Sequence, residues 1–154
     1  MIARTTSPRS PTPPTSSLIY LDTVTIIYSI ERFPDYIALL DPMWRQLKLG
    51  KFQVMTSELA LLETLVMPIR QTNKALINRY ETLLTASEIN LIPITRSILK
   101  SAANIRATAN IKTPDTIHAA TAIDAECTIF LTNDKGFLRI PELPTVILQD
   151  VLHS

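Results

Sequence analysis

From Leu18 onward, short apolar runs alternate with stretches whose apolar residues recur at helical spacing. Leu18 to Asp22 is an apolar run closed by an acid, and Val24 to Glu31 continues as a helix that Pro34 stops. Ile37, Leu40, Trp44 and Leu47 share one helical face between Asp35 and Leu49; Gly50 ends that segment and Pro42 is expected to break or restart it. Phe52 and Val54 mark a second strand. Ser57 to Val66 then carries Leu59, Leu62 and Val66 as a helix ending before Pro68, and Asn73 to Ala86 repeats the period through Leu76, Ile77, Tyr80, Leu83 and Leu84. Leu91 to Ile94 predicts a third strand and Thr95 a cap for a helix over 97–109. A further helix is capped by Thr113, with Pro114 at its first position, and holds Ala119, Ala120, Ala122 and Ala125, small residues that suit close approach to a sheet. Thr128 to Leu131 and Thr145 to Leu148 predict the fourth and fifth strands.

Strands and helices that alternate in this way predict an α/β fold, a mainly parallel five-stranded sheet flanked by helices. Ligands of such folds bind beyond the carboxyl ends of the strands, so chemistry is to be sought just after each strand.

The 154 residues, 46% hydrophobic and 19% charged, suit one domain and lie far from a disordered composition. A net charge of +1 neither suggests nor excludes a nucleic-acid partner; binding would need local basic patches or metal-mediated contact with phosphate. The lone Cys127, in an apolar run, cannot form an intrachain disulfide and fits a reducing, cytoplasmic setting. Residues 1–17 hold Arg4, Arg9 and four prolines without an apolar h-region, the pattern of a flexible tail and not of a signal peptide. No stretch later in the chain is long and apolar enough to predict a membrane span.

Against this background four acids stand out. Asp22 closes the first strand, Asp134 follows the fourth, Asp115 opens the helix before it, and Glu63 sits in an apolar stretch with Leu61, Leu62, Leu65 and Val66, where an ionised side chain needs a partner. Asp115 and Asp134 alone are ordinary first-turn and capping acids. Carboxylates brought together at about 4 Å, with an effective dielectric near 20, repel by roughly 4 kcal/mol, so a converging cluster holds protons or a cation. Oxygen ligands without histidine or cysteine at ligand spacing favour Mg²⁺ or Mn²⁺, and phosphodiester hydrolysis is the favoured chemistry.

The segments Tyr-Leu-Asp-Thr-Val-Thr-Ile-Ile-Tyr (20–28), Thr-Ser-Glu-Leu-Ala-Leu-Leu-Glu-Thr-Leu-Val (56–66), Thr-Pro-Asp-Thr-Ile-His-Ala-Ala-Thr-Ala (113–122) and Leu-Thr-Asn-Asp-Lys-Gly-Phe (131–137) resemble the PIN-domain family, in particular VapC-type toxins of bacterial toxin–antitoxin pairs. The resemblance spans residues 18–150 and leaves 151–154 as a C-terminal tail. It implies a PIN-like three-layer fold and a Mg²⁺- or Mn²⁺-dependent endoribonuclease, often a homodimer and often silenced by a cognate antitoxin. It places the family's acids on Asp22, Glu63, Asp115 and Asp134, with Glu58 a competing but less well aligned candidate. Two departures remove polar groups: Val24 stands where the family often has Asn or Ser, and Gly136 where a further acid often follows. Thr23, Thr132 and Asn133 remain as polar helpers near the metal.

With only Gly50 and Gly136 in the chain, neither a Walker loop nor a Gly-x-Gly-x-x-Gly turn can be built. An aspartyl-nucleophile phosphatase would want a second acid where Val24 stands. The main alternative to the nuclease is a PIN-like module that has lost activity and serves as an RNA or protein binding partner. His118, one turn after Asp115, either orients that carboxylate, contacts substrate, or is simply a hydrogen-bonded helix residue. Trp44 belongs to the core or to a dimer face, and Lys112, Lys135 and Arg139, beside the acidic motifs, either meet phosphate or are simply solvated.

Overall fold

A computed structural model describes residues 16–153, so the expected tail, apart from Ser16 and Ser17, lies outside the described residues. The elements follow in the order β1 (Leu18–Leu21), α1 (Thr23–Ile30), α2 (Pro34–Lys48), β2 (Gln53–Ser57), α3 (Leu59–Arg70), α4 (Lys74–Leu84), β3 (Ile89–Ile92), α5 (Arg96–Ala109), α6 (Thr113–Asp124), β4 (Ile129–Thr132), a 3-10 segment (Lys135–Arg139), β5 (Thr145–Ile147) and α7 (Leu148–Leu152). The five strands pair in the order β3-β2-β1-β4-β5, every neighbouring pair parallel, with Tyr20 opposite Met55 on one side and Phe130 on the other.

Alternation of side chains along the strands sorts the core into two faces. Ile19, Leu21 and Val54 pack with Ile26 of α1, Leu40 and Met43 of α2, Ala60 of α3 and Tyr80 and Leu84 of α4. Tyr20, Met55 and Phe130 pack on the opposite side with Ala119 and Ala122 of α6 and with Phe137. The result is the three-layer arrangement of sheet between helices. Trp44 packs against the first cluster and donates its indole N–H to Ser29 Oγ at 2.8 Å, which ties α2 to α1.

Several boundaries differ from those the sequence predicts. Pro42 and Pro68 both lie inside helices, where each removes one backbone donor. Burial of Tyr36, Leu40, Met43 and Leu47 on one face carries α2 through Pro42; Pro68 is itself buried and only Ile69 and Arg70 follow it in α3. The turn before Pro34 belongs to Arg32, at φ +55°, and Pro34 opens α2 instead of merely stopping α1. Strand β3 begins two residues early and stops at Ile92, since Pro93 has no N–H for a ladder. Lys112, not Thr113, is the N-cap residue of α6, and no side chain caps it; Thr113 is already helical. The 3-10 segment and α7 are too short to show a period, and α7 takes in Leu148, expected in the last strand.

Candidate metal centre

Position β1 lies between β2 and β4, so the strand order reverses there and opens a crevice beyond the carboxyl ends of β1 and β4. Asp22 follows β1 directly. Helix α6 returns the chain to the start of β4, which puts its N-terminal turn, and Asp115 with it, at the same edge of the sheet. A pocket of about 420 Å³ at this edge is lined by Asp22, Glu63, Asp115 and Asp134 together with Thr23, His118 and Asn133. Its other walls are apolar: Val24, Ile27 and Tyr28, one face of α1, and Phe137.

Each acid is held differently. Asp22 caps α1 and is 6% exposed; its Oδ1 accepts from the Thr25 N–H at 3.1 Å and Thr25 Oγ1 at 3.0 Å, and its Oδ2 accepts a short bond from Thr132 Oγ1. Burial pushes the Asp22 pKa up, against the Thr132 and Thr25 bonds that favour the charged form. Glu63 accepts on a single oxygen, Oε1, from Thr23 Oγ1 at 2.6 Å and from His118 Nε2 at 2.8 Å. Burial would raise its pKa, but the bonds from His118 and Thr23 prevail and hold the carboxyl below its ordinary value. Asp115, in the first turn of α6, is half-buried, and burial followed by the neighbouring charges of Asp134 and Glu63 raises its pKa, with His118 and Lys112 in opposition. Asp134 is exposed, caps the 3-10 segment and accepts from the Gly136 N–H at 2.8 Å.

The chemistry of this donor set fits a hard divalent cation: four carboxylates share one pocket, and two of them already destabilise the charge on a third. Among the described residues, no three His, Cys, Asp or Glu side chains stand close enough to form a ready-made cage.

The helper residues divide. Thr23 holds Glu63 and Thr132 holds Asp22, whereas Asn133 is committed elsewhere, donating to the Tyr36 hydroxyl at 2.8 Å and accepting from the Gln149 N–H at 2.9 Å. His118, expected beside Asp115, turns its ring to Glu63, Thr23 and Tyr20 and is 2% exposed. Glu58 is exposed at the N-cap of α3, outside the pocket lining. Sequence reasoning passed over Tyr20 and Thr25. Thr25 had a signal in its three-residue spacing from Asp22, the spacing of a side-chain cap. Tyr20 had none, because its role depends on a partner 98 positions away.

Comparison with known proteins bears on the same segments. No curated protein matches the sequence. Among solved structures, similar chains occur in VapBC2 from Rickettsia felis, solved bound to a DNA fragment from the promoter (20% identity, TM-score 0.68, covering 84% of this chain and 98% of that one). Others are FitAcB from Neisseria gonorrhoeae (22%, 0.62, covering 85% and 98%) and VapBC-1 from nontypeable Haemophilus influenzae (18%, 0.60, covering 86% and 98%). At such identities the likeness is one of fold. The family model for the PIN domain matches residues 19–143, a span that takes in all four acids and the whole pocket they line, and the chain belongs to the PIN-domain family.

Proposed function

We propose that this PIN domain is a Mg²⁺- or Mn²⁺-dependent endoribonuclease and the toxin of a toxin–antitoxin pair. The observation that carries the reading is the meeting of Asp22, Glu63, Asp115 and Asp134, from four separate segments, in one pocket at the strand-order reversal. These four would hold the cation. When bound, it would lower the pKa of a coordinated water and stabilise charge developing on the phosphodiester.

The chain's own groups have separate tasks in this reading. Thr132 and Thr25 fix both oxygens of Asp22, so that this buried acid keeps one orientation as the substrate arrives. Asp115 and Asp134 form the open, acidic side of the pocket, where the repulsion between them is relieved by positive charge. In this reading Lys112, exposed beside Asp115, would meet a phosphate, as would Lys135 of the segment that Asp134 caps, while Arg139 donates to the Asn110 carbonyl at 3.3 Å. The apolar wall of Val24, Ile27 and Tyr28 excludes water from one side.

VapBC2 and VapBC-1 are similar in fold, as is a toxin–antitoxin complex from Klebsiella pneumoniae. This supports a cognate antitoxin as partner here; that the toxin is a cytoplasmic homodimer belongs to the same proposal. Among the described residues no helix is long and apolar enough to cross a membrane. The alternative, a binding module without activity, draws on Val24 in the pocket and on the lack of a ready-made cage.

Purified protein incubated with RNA in Mg²⁺, Mn²⁺ or EDTA decides between them. Cleavage is expected with either metal, is abolished by EDTA, and falls at least about a hundredfold in Asp22→Asn and Asp115→Asn, the scale of a lost metal or transition-state contact. No cleavage of any RNA with Mn²⁺ favours the binding module, and equal cleavage by all three proteins removes the site.

A further inference from the structure

His118 is an unusual residue for its place. It sits on α6 between Thr116 and Ala119, Ala120, Thr121 and Ala122, on the buried side of a helix otherwise lined with small side chains, and only 2% of it is exposed. A buried imidazole needs both ring nitrogens paired, and here both are. Nδ1 lies 2.7 Å from the hydroxyl of Tyr20, and Nε2 lies 2.8 Å from Glu63 Oε1 and 3.1 Å from Thr23 Oγ1. An ionised carboxylate only accepts, so the proton on the Glu63 side belongs to Nε2; in the neutral ring Nδ1 then accepts the Tyr20 O–H.

Tyr20 is the fixed end of this chain. It is fully buried in β1, stacks on Phe130 at 5.1 Å and 9°, and meets the His118 ring edge-on at 5.8 Å. Burial keeps its hydroxyl protonated far beyond the ordinary range. Tyr20 is thus a rigid donor anchored in the central strand, two residues before Asp22.

Both donors to Glu63 fall on the same oxygen. Thr23 and His118 occupy Oε1, while the Glu63 side chain keeps 27% of its surface exposed in the pocket. Oε2 is the oxygen left to a ligand. We propose that His118 is a positioning residue for Glu63: braced by Tyr20 and joined by Thr23, it fixes Oε1 so that Glu63 presents Oε2 alone to the divalent cation. A carboxylate so held is a one-oxygen ligand with its rotamer set before the ion arrives, which lowers the cost of ordering it. The inference rests on the metal-dependent reading of this pocket and adds how one of its acids is aimed.

The test is Mn²⁺ titration of the full chain by calorimetry, with a thermal melt of each protein in EDTA. His118→Leu, close in volume and unable to donate, is expected to weaken Mn²⁺ binding by about tenfold or more, the usual loss when a hydrogen-bond partner of a metal ligand is removed. His118→Gln, whose amide N–H can still reach Oε1, is expected to recover most of it. In a Glu63→Gln background His118→Leu is expected to change Mn²⁺ affinity no further, because it acts through Glu63. Equal affinity of His118→Leu and the native chain overturns the proposal, as does an equal loss in His118→Leu and His118→Gln. So does a full additional loss in the Glu63→Gln background, the signature of a general packing effect. A native chain that binds no Mn²⁺ overturns the metal-dependent reading itself, and the positioning role with it.

Discussion

Asp22, Glu63 and Asp115 share a pocket yet have opposite pH behaviour. Folding raises the pKa of Asp22 and of Asp115 above the unfolded value near 3.8. Their contribution therefore favours the fold below that value and is lost as pH rises through the raised folded values. Glu63 is held below its ordinary value of 4.5, so its contribution is present above 4.5 and is lost as pH falls through the lowered value. In metal-free protein at neutral pH, Asp115 is thus a charge the fold bears at a cost. Asp115→Asn is expected to melt a few degrees higher than the native chain in EDTA at pH 7, with the gain fading below pH 4. It is also expected to lose most of the melting-temperature rise that excess Mn²⁺ gives the native chain, since binding to the folded state alone is what stabilises. Melts at the two pH values, with and without Mn²⁺, check both signs. Asp22 and Glu63 stood out in the sequence by their apolar neighbours, whereas the side chains that hold each of them did not. Thr132 and His118 lie 110 and 55 positions from the acids they hold.

The 3-10 segment shows how a short element fixes a site. Asp134 caps it, and its Oδ1 accepts from Gly136, where an added Cβ would stand 3.0 Å from that same oxygen. Gly136 stands where the resemblance to the family leads one to expect an acid, and its backbone N–H donates to Asp134. Gly136→Ala is expected to displace the Asp134 carboxylate and weaken Mn²⁺ binding several-fold. The melting temperature in EDTA should stay within a few degrees, because the crowding falls on one exposed side chain. Calorimetric titration beside a thermal melt separates the two effects. The longer helices were readable because their apolar faces repeat over three or four turns, and the Thr95 cap was readable from its side chain, which accepts from the Ile98 N–H. Proline misled the same reading. In α2 the helix continues past Pro42 since packing of its apolar face in the core outweighs one missing hydrogen bond, a gain that depends on residues distant in sequence, and in α3 Pro68 is itself buried with only Ile69 and Arg70 after it.

Across the whole molecule, aromatic packing runs from the core to the pocket wall. Phe130 of β4 is fully buried between Tyr20, at 5.1 Å, and Phe137, at 4.7 Å, so one ring packs against the brace of His118 and against the segment that Asp134 opens. Phe130→Ala is expected to cost about 3–5 kcal/mol in urea unfolding, the range for truncating a large aromatic in a packed core. It should also weaken Mn²⁺ binding at denaturant-free equilibrium, because both Tyr20 and Phe137 lose their common neighbour. A loss of stability with unchanged metal affinity would show that the core and the pocket are independent.

The sequence by itself determined the parallel α/β architecture, since alternating periods of strand and helix follow from local side-chain chemistry. It also marked out Asp22 and Glu63, because a carboxylate among apolar neighbours stands out without coordinates, whereas Asp115 and Asp134 rose above ordinary helix caps only through the resemblance to the family. Only the tertiary structure decided which side chains hold those acids. It turned His118 from Asp115 to Glu63, drew Asn133 away to Tyr36 and Gln149, and set both donors to Glu63 on one oxygen. Hydrogen bonds of that kind join atoms brought together by strand order and helix packing, and a linear pattern carries no record of which distant residues will meet.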